Sequence, residues 1–110
     1  MGIVYAGTTP TVTIKFKKIN VGTDLDEMIM NVKQCRTPVI ERDLTTATVD
    51  TEENSVSWTL TQEETFCLRL DMEATFGADW YLRDGTVGTT KIGTYMVQPR
   101  RKRKVFGSGE

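Results

Sequence analysis

Residues 11 to 18, TVTIKFKK, set the pattern for most of the chain. Val12, Ile14 and Phe16 fall on one side of an extended segment, and Thr11, Thr13, Lys15 and Lys17 on the other. A period of two with one apolar face predicts a half-buried strand. The ten residues before it close on GTTP, where Pro10 turns Thr9 away from helix, and no strand is assigned to them. INVGTDLDE follows as a loop, with Gly22 and Asp24 as its turn residues.

Alternation returns in EMIMNVKQ, which places Met28, Met30 and Val32 together. After the short turn CRTP, the run PVIERDL puts Ile40 and Leu44 on one side, with Arg42 between them. Pro38 lacks a ladder donor and Arg42 charges the face, so this strand is expected at a sheet edge. TTATVD is a short strand that ends in TEEN, where Asn54 is suited to a left-handed conformation. A hairpin there sets Val49 near Val56.

The segment SVSWTLTQEETFCL alternates through Val56, Trp58 and Leu60 and then stops. Thr61 and Glu64 have the spacing of a capping box, in which each satisfies the other's backbone N–H. One or two helical turns are expected, with Phe66 or Leu68 covering the end of the core. EATFGADWYLR is the longest strand signal, with Ala74, Phe76, Ala78, Trp80 and Leu82 on the core face. Asp84-Gly85 predicts a hairpin turn. The return strand, TVGTTKIGTYMV, would present Ile92, Thr94 and Met96 to the core. A two-residue turn pairs Leu82 with Val87, and strict continuation then sets Ala78 against Lys91. One extra residue near Gly88, or a longer loop over 83 to 87, would instead bring Ala78 to Ile92, Phe76 to Thr94 and Ala74 to Met96.

These elements predict an all-β protein: an antiparallel immunoglobulin-like β-sandwich of six to seven strands, with one short helical turn near residues 62–68. The length of 110 residues suits one domain over residues 1–99. Residues 100–110 form a basic tail, expected to be flexible. Charge supports that division. Residues 1–99 hold nine basic and fourteen acidic side chains, for a net −5, whereas residues 100–110 hold five basic and one acidic, for a net +4. No apolar run approaches the roughly 18 residues of a membrane span. MGIVYAGTTP lacks the charged and apolar regions of a secretory leader.

Catalytic chemistry finds no foothold in the sequence. No histidine is present, so Cys35, Cys67 and the threonines have no imidazole base. The carboxylates of Asp24, Asp26, Glu52, Glu53, Glu63 and Glu64 read as solvated loop charge, without the spacing of a calcium loop. No glycine-rich phosphate loop occurs. Two cysteines cannot supply a four-ligand zinc site, and whether they pair is left open. No enzyme activity, catalytic residue, metal, cofactor or small-molecule substrate is therefore assigned. Candidate interaction residues are Tyr81 and Tyr95, as a patch on the second face, and the run Arg100, Arg101, Lys102, Arg103 and Lys104. Trp80 is expected in the core.

The order of AGTTPTVTIKF, MNVKQ, PVIERDL, TVDTEENSVSWTLTQEET and the strand leading into DGT resembles a family of small tailed-phage and prophage proteins. It also resembles the immunoglobulin-like N-terminal domains of upper baseplate proteins from phages of Gram-positive bacteria. The resemblance spans most of residues 5–97 and rests most on LTQEET and DGT. It implies a non-enzymatic virion component of the tail, baseplate or neck, made in the bacterial host cytoplasm. Its partners would be phage structural proteins or further copies of itself. RRKRKVFGSGE departs from the family's less charged finish. A second reading is an interaction module that binds nucleic acid through that basic tail.

Overall fold

The chain alternates between two sheets. A computed structural model describes residues 2–101. In order, the elements are β1 (Gly2–Ala6), β2 (Thr11–Lys15), β3 (Leu25–Gln34), β4 (Thr37–Asp43), a 3-10 turn (Leu44–Thr46), β5 (Thr48–Asp50), β6 (Ser55–Thr59), α1 (Gln62–Phe66), β7 (Glu73–Leu82) and β8 (Val87–Pro99). One sheet has the order β1-β8-β7-β3-β4 and the other β2-β6-β5. This is the expected β-sandwich, with eight strands among the described residues. Every pairing is antiparallel except β1 with β8, which is parallel.

The alternating apolar residues meet in one buried cluster. Met28, Met30 and Val32 from β3, Ala74, Phe76 and Ala78 from β7, and Val12, Ile14, Val56 and Trp58 from the smaller sheet belong to it. Each large aliphatic side chain taken fully from water contributes about 1.5–3 kcal/mol before entropy is counted. Trp58 is 1% exposed, and its indole Nε1 donates to the Asp43 carbonyl at 2.9 Å. That bond satisfies the buried donor and ties the centre of the smaller sheet to the end of β4. Trp80 points inward as expected but covers the core's end. Its ring is half-buried and meets Phe16 edge-on at 5.2 Å.

Two polar devices hold the connections. Asn54 takes φ 54°, and its side-chain amide donates to the carbonyls of Phe16 (2.8 Å) and Ile19 (2.6 Å). Its Oδ1 accepts from the Val21 N–H at 2.9 Å, so a single residue closes the loop after β2. The capping box forms as predicted: Glu64 N–H donates to Thr61 Oγ1 at 3.1 Å, and Thr61 N–H donates to Glu64 Oε1 at 2.9 Å. This lets the chain cross from β6 in one sheet to β7 in the other without stranded backbone donors. Thr65 in α1 is fully buried and reaches the β1–β2 turn, accepting from Gly7 N–H and donating to the Thr8 carbonyl. Leu68 is buried below the helix and Phe66 half-covered, so both close the core.

The last hairpin corrects the predicted register. Leu82 N–H donates to the Thr86 carbonyl, so Arg83, Asp84 and Gly85 form a three-residue loop, with Gly85 at φ 94°. Trp80 then pairs with Gly88 and Ala78 with Thr90. The bulge exists but lies at Ile92, the extra residue between Lys91 opposite Gly77 and Gly93 opposite Phe76. Beyond it Ala74 faces Tyr95, not Met96. The physical reason is packing. The Trp80 indole lies across Gly88, where a Cβ would sit 2.3 Å from its Cε2. Only glycine admits the ring at that pairing.

Candidate functional site

The larger sheet has two unlike edges. At the β4 edge the protections are chemical. Pro38 sits early in the strand, and Arg42 turns its guanidinium back to Glu64 of the capping box (2.6 Å) and to Thr46 Oγ1 (2.8 Å). The two charged side chains are 18% and 25% exposed, so the pair is shielded well beyond an ordinary surface bridge.

The other edge is stepped. β1 pairs with Tyr95–Pro99 and with nothing earlier in β8. From Val87 to Thr94, the side of β8 away from β7 faces no strand among the described residues. Beside that bare length lies a cleft of about 320 Å³ where the two sheets part. Ile3, Pro10, Val12, Phe76, Ile92 and Tyr95 line it. The bulge supplies Ile92, which packs partly against the core. Tyr95 rests edge-on against Phe76, with ring centroids 5.2 Å apart. On the outer face Lys91 is exposed at this edge opposite Gly77, and Lys33 is exposed on β3, one strand beyond β7, opposite Thr75. Asp79, exposed and paired with Thr89, shares that face, so the rim carries both signs of charge.

Tyr81 and Tyr95 do not form one patch. Tyr81 is on the outer face, 39% exposed and paired with Val87, whereas Tyr95 points inward to the cleft. The expected shared face fails because the bulge at Ile92 reverses which side chains of β8 turn in. Of the basic run, Arg100 is half-buried over the Phe66 ring at 5.1 Å, packed on α1 by a cation–π contact, and Arg101 is exposed. Lys102, Arg103 and Lys104 lie outside the described residues.

The cleft residues Ile3 and Val12 carried no functional signal in the sequence, because β1 went unassigned and Val12 read as core. A single clue was available: Ile92 is the one apolar side chain in the stretch GTTKIGT, residues 88–94.

Titrating groups add little chemistry. The Asp43 carboxyl is held below its ordinary value of 3.8 by hydrogen bonds from the Thr45 hydroxyl and N–H. Thr86 does the same for Asp84. Both are exposed turn carboxylates. Cys35 and Cys67 are free thiols. Among the described residues, no group of three or more His, Cys, Asp and Glu side chains is placed to hold a metal ion, and no helix is long and apolar enough to cross a membrane.

No protein-family model matches the chain, and no curated protein matches it. A solved structure does: CopC from Methylosinus trichosporium OB3b, with a TM-score of 0.54 and 12% identity, over 93% of this chain and 89% of that one. At that identity the likeness is one of fold. It corrects the assignment as a phage tail, baseplate or neck component, which rested on the sandwich architecture. The same sandwich is built by CopC, so the architecture that suggested a virion part does not distinguish one.

Proposed function

We propose that the protein is a non-catalytic binding module whose ligand is an extended polypeptide segment, taken up along Val87–Thr94 of β8. The observation that carries this reading is the bare backbone of half a strand lying beside an apolar cleft. An incoming strand would satisfy the outward N–H and C=O groups of β8, and every second side chain would enter the cleft. Main-chain bonds then give affinity, and the cleft gives sequence preference. Lys91 and the bulge at Ile92 guard against indiscriminate edge-to-edge pairing without covering the backbone. Lys91 also offers a cationic contact to an acidic residue of the ligand. A segment with apolar residues toward Phe76 and Tyr95 and acidic residues toward solvent complements both surfaces.

The test uses a synthetic ten-residue peptide alternating valine and glutamate, titrated against the full chain by calorimetry. A second peptide of the same sequence carries N-methyl groups at alternate residues, which remove the donors needed for strand addition. The first peptide binds and the second does not; Ile92→Asp, which places a charge in the cleft, also stops binding. Equal binding of the two peptides, or no binding of either at millimolar concentration, would sink the proposal.

A further inference from the structure

We infer that Cys35, Cys67 and Met72 form a binding site for a soft monovalent cation of the copper(I) kind. The site shares no lining residue with the cleft beside β8 and does not depend on the strand-binding reading. It begins with a turn. Cys35 and Arg36 join β3 to β4 with φ values of 51° and 66°, the left-handed pair of a two-residue hairpin. Immediately before it, Gln34 is 4% exposed and uses both ends of its amide on one residue. Its Nε2 donates to the Arg69 carbonyl at 2.9 Å, and its Oε1 accepts from the Arg69 N–H at 2.7 Å. That clamp pins the segment after α1 against the end of β3.

The consequence is a cluster of sulfur. Cys35 Sγ lies 3.6 Å from Met72 Sδ. Cys67 lines the same cleft, of about 180 Å³, with Val39 and Arg69. Two thiols and a thioether are the donors that select copper(I). Zinc prefers four ligands in a tetrahedron, and this set supplies three sulfurs. The charges also balance well. Two thiolates around one monovalent cation leave a single negative charge, and Arg69 faces it from the wall of the cleft. Cys67 Sγ sits 3.3 Å from the Glu63 carbonyl as a donor. Loss of its proton ends that bond and frees the sulfur to turn toward the cleft. Each thiol gives up one proton when the cation binds.

The test titrates the reduced full chain with copper(I), free of oxygen, in competition with the chelator bathocuproine disulfonate. One equivalent binds, and thiolate-to-copper absorption appears in the ultraviolet. Cys35→Ser and Cys67→Ser each remove this binding. Met72→Leu, close in volume, keeps the fold by circular dichroism. It weakens binding by at least roughly the tenfold loss that follows removal of even an outer contact to a metal ligand. A wild-type chain that holds no more copper(I) than the double serine variant would overturn the site. Unchanged affinity in Met72→Leu would overturn the three-sulfur set.

Discussion

The two edges of the larger sheet solve one problem differently. β4 is guarded along its length: a proline removes a donor, and an arginine folds back onto the capped helix that links the sheets. β1 and β8 share the opposite edge, and β1 covers only the part of β8 from Tyr95 onward. The guarded edge draws stability from its side chains. The stepped edge leaves backbone exposed beside an apolar cleft. The contrast teaches that stability and binding are assigned to opposite sides of the same sheet, and each can be changed without the other.

Breaking the guarded edge has the largest effect. Glu64→Ala removes half of the capping box and strips Arg42 of its carboxylate at a shielded position. A lost cap costs about 0.5–2 kcal/mol, and the partly desolvated guanidinium adds to it, for a total of about 2–4 kcal/mol in urea unfolding. Peptide binding at β8 should survive in the folded fraction. On the stepped edge, Gly88→Ala pushes a methyl group into the Trp80 indole and costs about 1–2 kcal/mol, the usual penalty of overpacking. Tryptophan emission should shift with it as the ring leaves Phe16.

The smallest effect is a pH dependence that both edges share. Asp43, at the end of β4, and Asp84, in the β7–β8 loop, have folded values below the ordinary 3.8. A carboxyl lowered by folding stabilises the fold fully above its unfolded value, and that contribution is lost as pH falls through the folded value. The contribution of these two groups should therefore be lost below about pH 4. Asp43→Asn and Asp84→Asn should each flatten that decline, read as urea midpoints across the acid range.

How much of this was visible in the residue order depends on the strand. In β2, β3, β6 and β7 the apolar residues keep strict alternation, so their buried faces were legible, as were the capping box, Asn54 and the Val49–Val56 pair. Pro38 likewise marked β4 as an edge. GIVYA was not legible as a strand, because its partner, β8, lies more than ninety positions away and runs parallel to it. β8 itself is rich in threonine and glycine, which fit either face, so neither its loop length nor its bulge could be fixed by hydrophobic pattern. That ambiguity misplaced Tyr95 and hid the cleft. The sulfur cluster was hidden for a different reason: Cys35 and Cys67 stand 32 positions apart, and what joins them is a buried glutamine bonded to a backbone.

Amide hydrogen exchange along β8 tests the stepped edge most directly. From Val87 to Thr94 alternate amides should exchange rapidly, while those from Tyr95 to Gln98 are protected by β1 on one side and by β7 and the Met72 carbonyl before it on the other. Adding the alternating valine–glutamate peptide should slow the fast set and leave the rest unchanged. Uniform protection from Val87 to Gln98 in the free protein would contradict the account, since it would mean that the edge is already covered.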